Sequence, residues 1–264
     1  MQIINSHAHL LKKFKSEIKL VGIKSLIEDM KKGKVKKTFI FSSDGQDDDY
    51  TINELIDKFG KDKKFEFIYT IKLGEKNLRK QLEDVENYFK RDLIKGIKVL
   101  LGYFRIMPTD RKLRSFFKLC ERYNFPVIFH TGDTYDSPKS EVKYAHPLNI
   151  DDLATENPNL KIIMAHIGIP WIMDAAEVMY KNKNVYGDLS GFFVGFSDKR
   201  YVSLIRKKVN ELIDYTGGDK LLFGTDFPLA DSFNYVKFVK SLALTKKELE
   251  FVFYKNAEKL FKVS

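Results

Sequence analysis

Short apolar, β-branched or aromatic runs alternate along this chain with longer mixed runs whose apolar residues recur three and four apart. The first pattern is that of buried strands, the second that of amphipathic helices. Ile3-Ile4 predicts a strand that ends in Asn5-Ser6-His7-Ala8-His9. Further strands are predicted over 38–41, 65–71, 94–100, 126–130, 161–166, 184–189 and 220–224. Helices are predicted over 22–30, 51–59, 75–91, 110–123, 149–156, 170–180 and 201–215, and two more, over 231–242 and 245–261, close the chain. The stretch 131–147 is polar and aperiodic, and 191–196 is apolar and glycine-spaced, so both read as loops. Loops as long as the first are usually functional or mobile.

Eight short apolar strands alternating with helices predict a parallel sheet covered on both faces. A chain of 264 residues suits one (β/α)8 TIM barrel, which typically needs about 250. No linker or shift of composition divides 1–264, so one barrel domain is expected. A doubly wound open sheet is the alternative. No Gly-x-Gly-x-x-Gly follows any strand to mark a nucleotide site in it.

Composition narrows the partners. Cys120 is the only cysteine, which excludes an intrachain disulfide and fits a reducing cytoplasm. Met1-Gln2 leads straight into the first strand, and no apolar run reaches the roughly 18 residues of a membrane span. A cytoplasmic protein with no membrane partner is expected. The net charge of +10 raises the question of nucleic acid. Its lysines are spread in pairs such as Lys31-Lys32, Lys63-Lys64 and Lys207-Lys208, without an Arg cluster or an RNA-binding motif. That reads as a solvated basic surface, so no nucleic-acid partner is expected.

The chemistry collects at strand ends. Alternate residues of a strand face one side, so His7 and His9 can present two imidazoles to one metal ion. The same pair on an exposed edge would look identical. His130 closes the fifth predicted strand, His166 the sixth, and Asp226 follows the eighth in Phe223-Gly224-Thr225-Asp226. In a barrel the C-terminal ends of all strands meet at one face, where such groups can converge.

The motifs Ile4-Asn5-Ser6-His7-Ala8-His9, Phe129-His130-Thr131-Gly132, Met164-Ala165-His166-Ile167-Gly168, Tyr186-Gly187-Asp188-Leu189-Ser190 and Gly224-Thr225-Asp226-Phe227-Pro228 resemble the amidohydrolase superfamily, in its amidohydrolase-2 branch. The likeness runs nearly end to end, with Asn5 standing where the family usually has Asp. The resemblance implies that His7, His9, His130 and Asp226 bind one divalent metal, zinc first and manganese second. It implies that Asp226 acts as general base on an activated water and that His166 polarises a carbonyl or shuttles a proton.

Lys98 lies inside an apolar strand, where a lysine is costly unless paired or solvated. It could contact a substrate carboxylate, be carboxylated to bridge a second metal, or face outward between helices. Asp44 and Arg105 follow strands and could touch substrate or be ordinary loop residues, and His146 reads as a loop-ordering residue. Tyr103, Phe104, Trp171, Phe192 and Phe193 could form a pocket or simply pack loops, while Asp188 and Ser190 could shape the site floor. The expected function is a metal-dependent hydrolase of a small-molecule amide, lactone or ester. A decarboxylase of a small aromatic or unsaturated carboxylic acid is the alternative, and a catalytically lapsed metal-binding barrel the third reading. A homodimer is implied only by the resemblance.

Overall fold

Eight parallel strands follow one another around a single sheet, each paired with the next in sequence. They are β1 (Ile4–His9), β2 (Lys37–Phe41), β3 (Phe65–Thr70), β4 (Ile97–Val99), β5 (Val127–His130), β6 (Ile162–Ala165), β7 (Val185–Asp188) and β8 (Leu221–Leu222). The computed structural model describes residues 1–12, 22–42, 49–74, 77–134, 137–193 and 198–263. The last strand closes on the first. The Ser6 amide donates to the Phe223 carbonyl at 2.8 Å, the His9 amide to the Phe227 carbonyl at 2.6 Å, and Ala8 forms a parallel bridge with Phe227. The fold is therefore a (β/α)8 barrel rather than an open sheet.

Helices cover the outside. They are α1 (Gly22–Gly33), α2 (Ile52–Phe59), α3 (Leu78–Lys90), α4 (Leu101–Phe104), α5 (Arg114–Tyr123), α6 (Asn149–Glu156), α7 (Ile172–Lys181), α8 (Lys199–Thr216), α9 (Ser232–Lys240), α10 (Lys246–Glu250) and α11 (Asn256–Phe261). Among the described residues, no helix is long and apolar enough to cross a membrane.

Two apolar layers hold the barrel. One lies between strands and helices. The other fills the interior with Ile4, Phe39, Ile68, Ile128, Ile163 and Leu222. Ala257, Leu260 and Phe261 of α11 join that inner cluster, and the Phe261 ring lies 4.2 Å from that of Phe39. The C-terminal helix thus plugs one end of the barrel, and the strand ends gather at the other.

All eight predicted strands are present, with shorter bounds in places. Strand β8 is the clearest case. It stops after Leu222 because the Phe223 amide donates to the Val252 carbonyl at 2.8 Å. Val252 belongs to a π-turn over Phe251–Lys255, inserted within the helix expected over 245–261. Such a turn disturbs the ordinary helical ladder, and here Val252 lends its carbonyl to the sheet. Helix α4 and a 3-10 turn over Val142–Ala145 were not foreseen.

One irregularity positions the site. Between Asn5 and Ala8 the pairing of β1 with β2 shifts, so three residue steps on β1 span two on β2. An unbroken strand puts residues three apart on opposite faces. Here Ile4 lies in the interior cluster beside Phe41, and His7 stacks on the Phe41 ring at 4.2 Å. The bulge re-aims the second half of the strand, a use seen next to active sites.

Leu260 is fully buried in the plug. Replacing it with Ala should cost about 2–5 kcal/mol in denaturant unfolding, the usual range for a buried Leu. A loss below about 1 kcal/mol would show that α11 does not seal the barrel.

Candidate metal centre

Three donors converge at the strand ends: the imidazoles of His7 and His9 from β1 and the carboxylate of Asp226 from the segment after β8. His7 Nε2 lies 3.5 Å and His9 Nε2 3.4 Å from Asp226 Oδ1. Two ligand atoms about 2.1 Å from a tetrahedral cation would stand about 3.4 Å apart. His7 Nε2 is buried and has no hydrogen-bond partner among the described residues. An orphaned buried nitrogen is unusual in a native protein and asks for an explanation such as an ion.

The other side of the His7 ring shows why that nitrogen carries a lone pair. His7 Nδ1 lies 2.8 Å from Asp188 Oδ2. A carboxylate only accepts, so Nδ1 bears the proton and Nε2 is left bare. A carboxylate behind a histidine in this way orients metal-ligating imidazoles and raises their basicity. Burial, then the charge of Lys98, lowers the His7 pKa to about 3, against the opposing pull of Asp188. The ring is neutral at pH 7, the form that binds metal. His9, still part-exposed at the mouth, shifts the same way through burial and the charge of Lys98.

A second group, His7, His166 and Asp188, also brings donor atoms close. Hydrogen bonds already account for it. Asp188 Oδ1 accepts from the His166 amide at 2.9 Å, from the Ser190 amide at 3.0 Å and from the Ser190 hydroxyl. His166 Nδ1 lies 3.1 Å from the Ser190 carbonyl and 3.0 Å from Ser190 Oγ. Burial pushes the Asp188 carboxyl up, but His7, His166 and Lys98 outweigh it and hold it well below the usual carboxylate range. Asp188 and Ser190 are the parts that sequence reasoning left vague, as site floor. The signal was there, since Asp188 also ends a strand.

The backbone is shaped around these contacts. His166 and Asp226 have φ of 65° and 61°, a left-handed conformation uncommon outside glycine. The Asp226 amide donates to the His7 carbonyl at 2.9 Å. Asn5 donates through Nδ2 to Thr225 Oγ1 at 2.8 Å and accepts the Thr225 amide at 3.1 Å. It ties β1 to the Asp226 segment, a positional task an amide performs as well as a carboxylate. Gly191 has φ of 71°, and a Cβ there would stand 2.3 Å from His166 Nδ1.

The remaining sequence candidates divide. His130 lies beside His166, with ring centroids 4.8 Å apart. Its Nε2 meets the Asp133 carbonyl at 2.6 Å, so it stands next to the three-donor group rather than within it. Lys98 projects inward with its ammonium buried, which rules out an outward-facing lysine. Arg105 donates to the Lys139 carbonyl at 2.7 and 2.5 Å and faces Glu141 at 3.3 Å, so it is committed to a loop on the rim. His146 pairs with Asp174 at 3.3 Å and packs on Trp171, apart from the centre. Tyr103 meets the His130 ring edge-on at 4.9 Å, while Phe192 and Phe193 pack with Phe238. Asp44 lies outside the described residues.

Comparison with known proteins gives the family and the fold. A family model described as Amidohydrolase matches residues 78–263. No curated protein matches significantly by sequence. Among solved structures, an uncharacterised TIM-barrel protein from Bordetella bronchiseptica is similar at a TM-score of 0.76 and 16% identity, over 99% of each chain. A probable 2-pyrone-4,6-dicarboxylic acid hydrolase from Acinetobacter baumannii scores 0.69 at 15% identity, over 100% of both chains. A dihydroxybenzoic acid decarboxylase from Polaromonas sp. JS666, holding manganese and an inhibitor, scores 0.71 at 15% identity, over 99% of this chain and 97% of that one.

The neutral histidines have a consequence for stability. Burial lowers the His166 pKa to about 3, with the charges of His7 and Lys98 adding to it. Below the unfolded histidine value of about 6.5 the unfolded chain binds protons that the folded one refuses, so stability falls with pH. The urea midpoint of the metal-free chain should therefore drop between pH 7 and pH 5, and drop less in His166→Asn. Equal midpoints at the two pH values would contradict the buried neutral imidazoles.

Proposed function

The chain belongs to the amidohydrolase family, and from that premise we propose that it is a metal-dependent hydrolase of a small-molecule amide, lactone or ester. The observation that supports this most is the bare, buried His7 Nε2 facing Asp226 beside His9. His7, His9 and Asp226 would hold the cation, and His130 would complete the set by giving up the Asp133 carbonyl. Three imidazoles and a carboxylate suit zinc first, with manganese second. A divalent cation bound there would supply Lewis acidity, to acidify a water or polarise a substrate oxygen.

The protein's own groups supply the rest. Burial raises the Asp226 carboxyl toward neutrality, against the pull of Lys98. A cation held by Asp226 would offset that rise, so its part as base rests on position: a carboxylate oxygen at the centre can take a proton from water and return it to a leaving group. His166 donates through Nδ1 to the Ser190 carbonyl, which leaves Nε2 bare, able to take a proton and hand it on. Asp188 holds the His7 ring from behind and the His166 backbone through its amide.

Decarboxylation is the second reading. The similarity to a dihydroxybenzoic acid decarboxylase and the buried ammonium of Lys98 both favour a carboxylic acid as substrate. A panel of lactones, amides, esters and carboxylic acids, turned over in water enriched in oxygen-18, separates the two. Hydrolysis puts the heavy oxygen into the product and releases no carbon dioxide. Release of carbon dioxide without heavy oxygen would replace the hydrolytic reading. With the substrate so found, His166→Ala should lower kcat by about 10²–10⁴ while metal content stays that of the parent. Unchanged kcat would remove His166 from the chemistry.

A further inference from the structure

Side chains alternate along each strand, so the interior layers can be read off the register. Ile68 lies in the interior cluster, and Thr70 two residues on shares its face. A Cβ on Gly96 would meet the interior Ile68 and Ile128, and Lys98 two residues on shares that face. Thr70 and Lys98 are register partners on the adjacent parallel strands β3 and β4. Their side chains therefore stand side by side inside the barrel, on the strands that neighbour His7's stacking partner Phe41 and the strand of His130.

Both are buried, Lys98 at 2% and Thr70 at 3% exposure, and among the described residues neither Lys98 Nζ nor Thr70 Oγ1 has a hydrogen-bond partner. The ammonium lies over the face of the Phe41 ring, 5.1 Å from its centroid. Asp188 and Asp226 act on Lys98 through space, but Asp188 is taken up by His7, His166 and Ser190, and Asp226 faces His7 and His9. An ammonium buried with its N–H groups unmet carries a large desolvation cost. A neighbouring hydroxyl in the same condition makes two unmet groups side by side on the inner face of β3 and β4. Both can donate, so the shared ligand they lack is an anion. A planar carboxylate offers two acceptor oxygens to two adjacent donors with a single charge. A phosphate would bring more negative charge close to Asp188 and Asp226.

We propose that Lys98 and Thr70 form a subsite for one carboxylate of the substrate, on the β3–β4 wall beside the three-donor centre. The assignment rests on that centre being the reacting site, and it deepens the reading above by naming the residues of this chain that would hold a substrate carboxylate. Lys98 supplies the charge and Thr70 a directed hydroxyl, and the Phe41 ring, held between Lys98 and His7, separates the two subsites.

The test is calorimetric titration of the zinc-loaded full chain with benzoate and with benzamide, which match in size and differ in charge. Benzoate should bind at least about tenfold more tightly than benzamide, a difference expected for a charge-assisted pair out of water. Lys98→Met should erase that preference, and Thr70→Val, which keeps the shape and removes the hydroxyl, should weaken benzoate several-fold and leave benzamide unchanged. If Lys98→Met does not fold, the Thr70→Val comparison decides alone. Equal affinities in the parent would overturn the subsite. A preference that survives in Lys98→Met would also overturn it, by assigning the carboxylate to the metal. A carbamate signal from Lys98 in the carbon-13 spectrum after incubation with labelled bicarbonate would do the same. Zinc content is measured on the same samples. Absence of zinc counts against the metal centre, whereas zinc with no benzoate preference counts against this subsite alone.

Discussion

A single buried carboxylate organises the centre. Asp188 takes the His7 ring proton on one oxygen, and on the other the amides of His166 and Ser190 and the Ser190 hydroxyl. Those contacts fix which nitrogen of His7 is bare, where His166 sits, and how the loop after β7 turns. An ionised group buried this deeply is tolerable only when fully hydrogen-bonded. The network is thus a condition of folding as well as of chemistry. The left-handed backbone at His166 and the missing side chain of Gly191 are local adjustments that let the network close.

The barrel supplies the convergence, and its departures from regularity supply the aim. A regular β1 would send either Ile4 or His7 away from the interior. The pairing shift between Asn5 and Ala8 lets both face inward, one in the apolar floor and one at the mouth. At the closing seam, Asn5 and Thr225 lock β1 to the segment that carries Asp226. Beyond the short β8 that segment stays bonded to β1 through His7 and His9, and the plug of α11 seals the opposite end. The polar groups thus stand at the end of the barrel that α11 leaves uncovered.

Much of this was legible in the sequence because period and position carry it. The alternation of strand and helix runs yielded the eight-stranded order, and the habit of polar residues ending apolar strands pointed to His7, His9, His130, His166 and Asp226. Other parts were not legible, for physical reasons. The bulge in β1 depends on pairing with β2, which a strand's own residues do not encode. Whether Lys98 faced in or out turned on one step of register. Arg105 could not be told from a substrate contact until its partners, the Lys139 carbonyl and Glu141, came into view. Asp188 looked like one strand-end carboxylate among several, because its importance comes from what four other groups donate to it.

The central claim is that His7, His9 and Asp226 are arranged for a metal ion. Elemental analysis of protein purified without added metal, beside a His7→Ala/His9→Ala double variant, tests it most directly. The account predicts about one equivalent of a divalent transition metal in the parent, or after incubation with zinc or manganese, and almost none in the variant. A parent that holds no metal under either condition, or a double variant that holds as much as the parent, would contradict it.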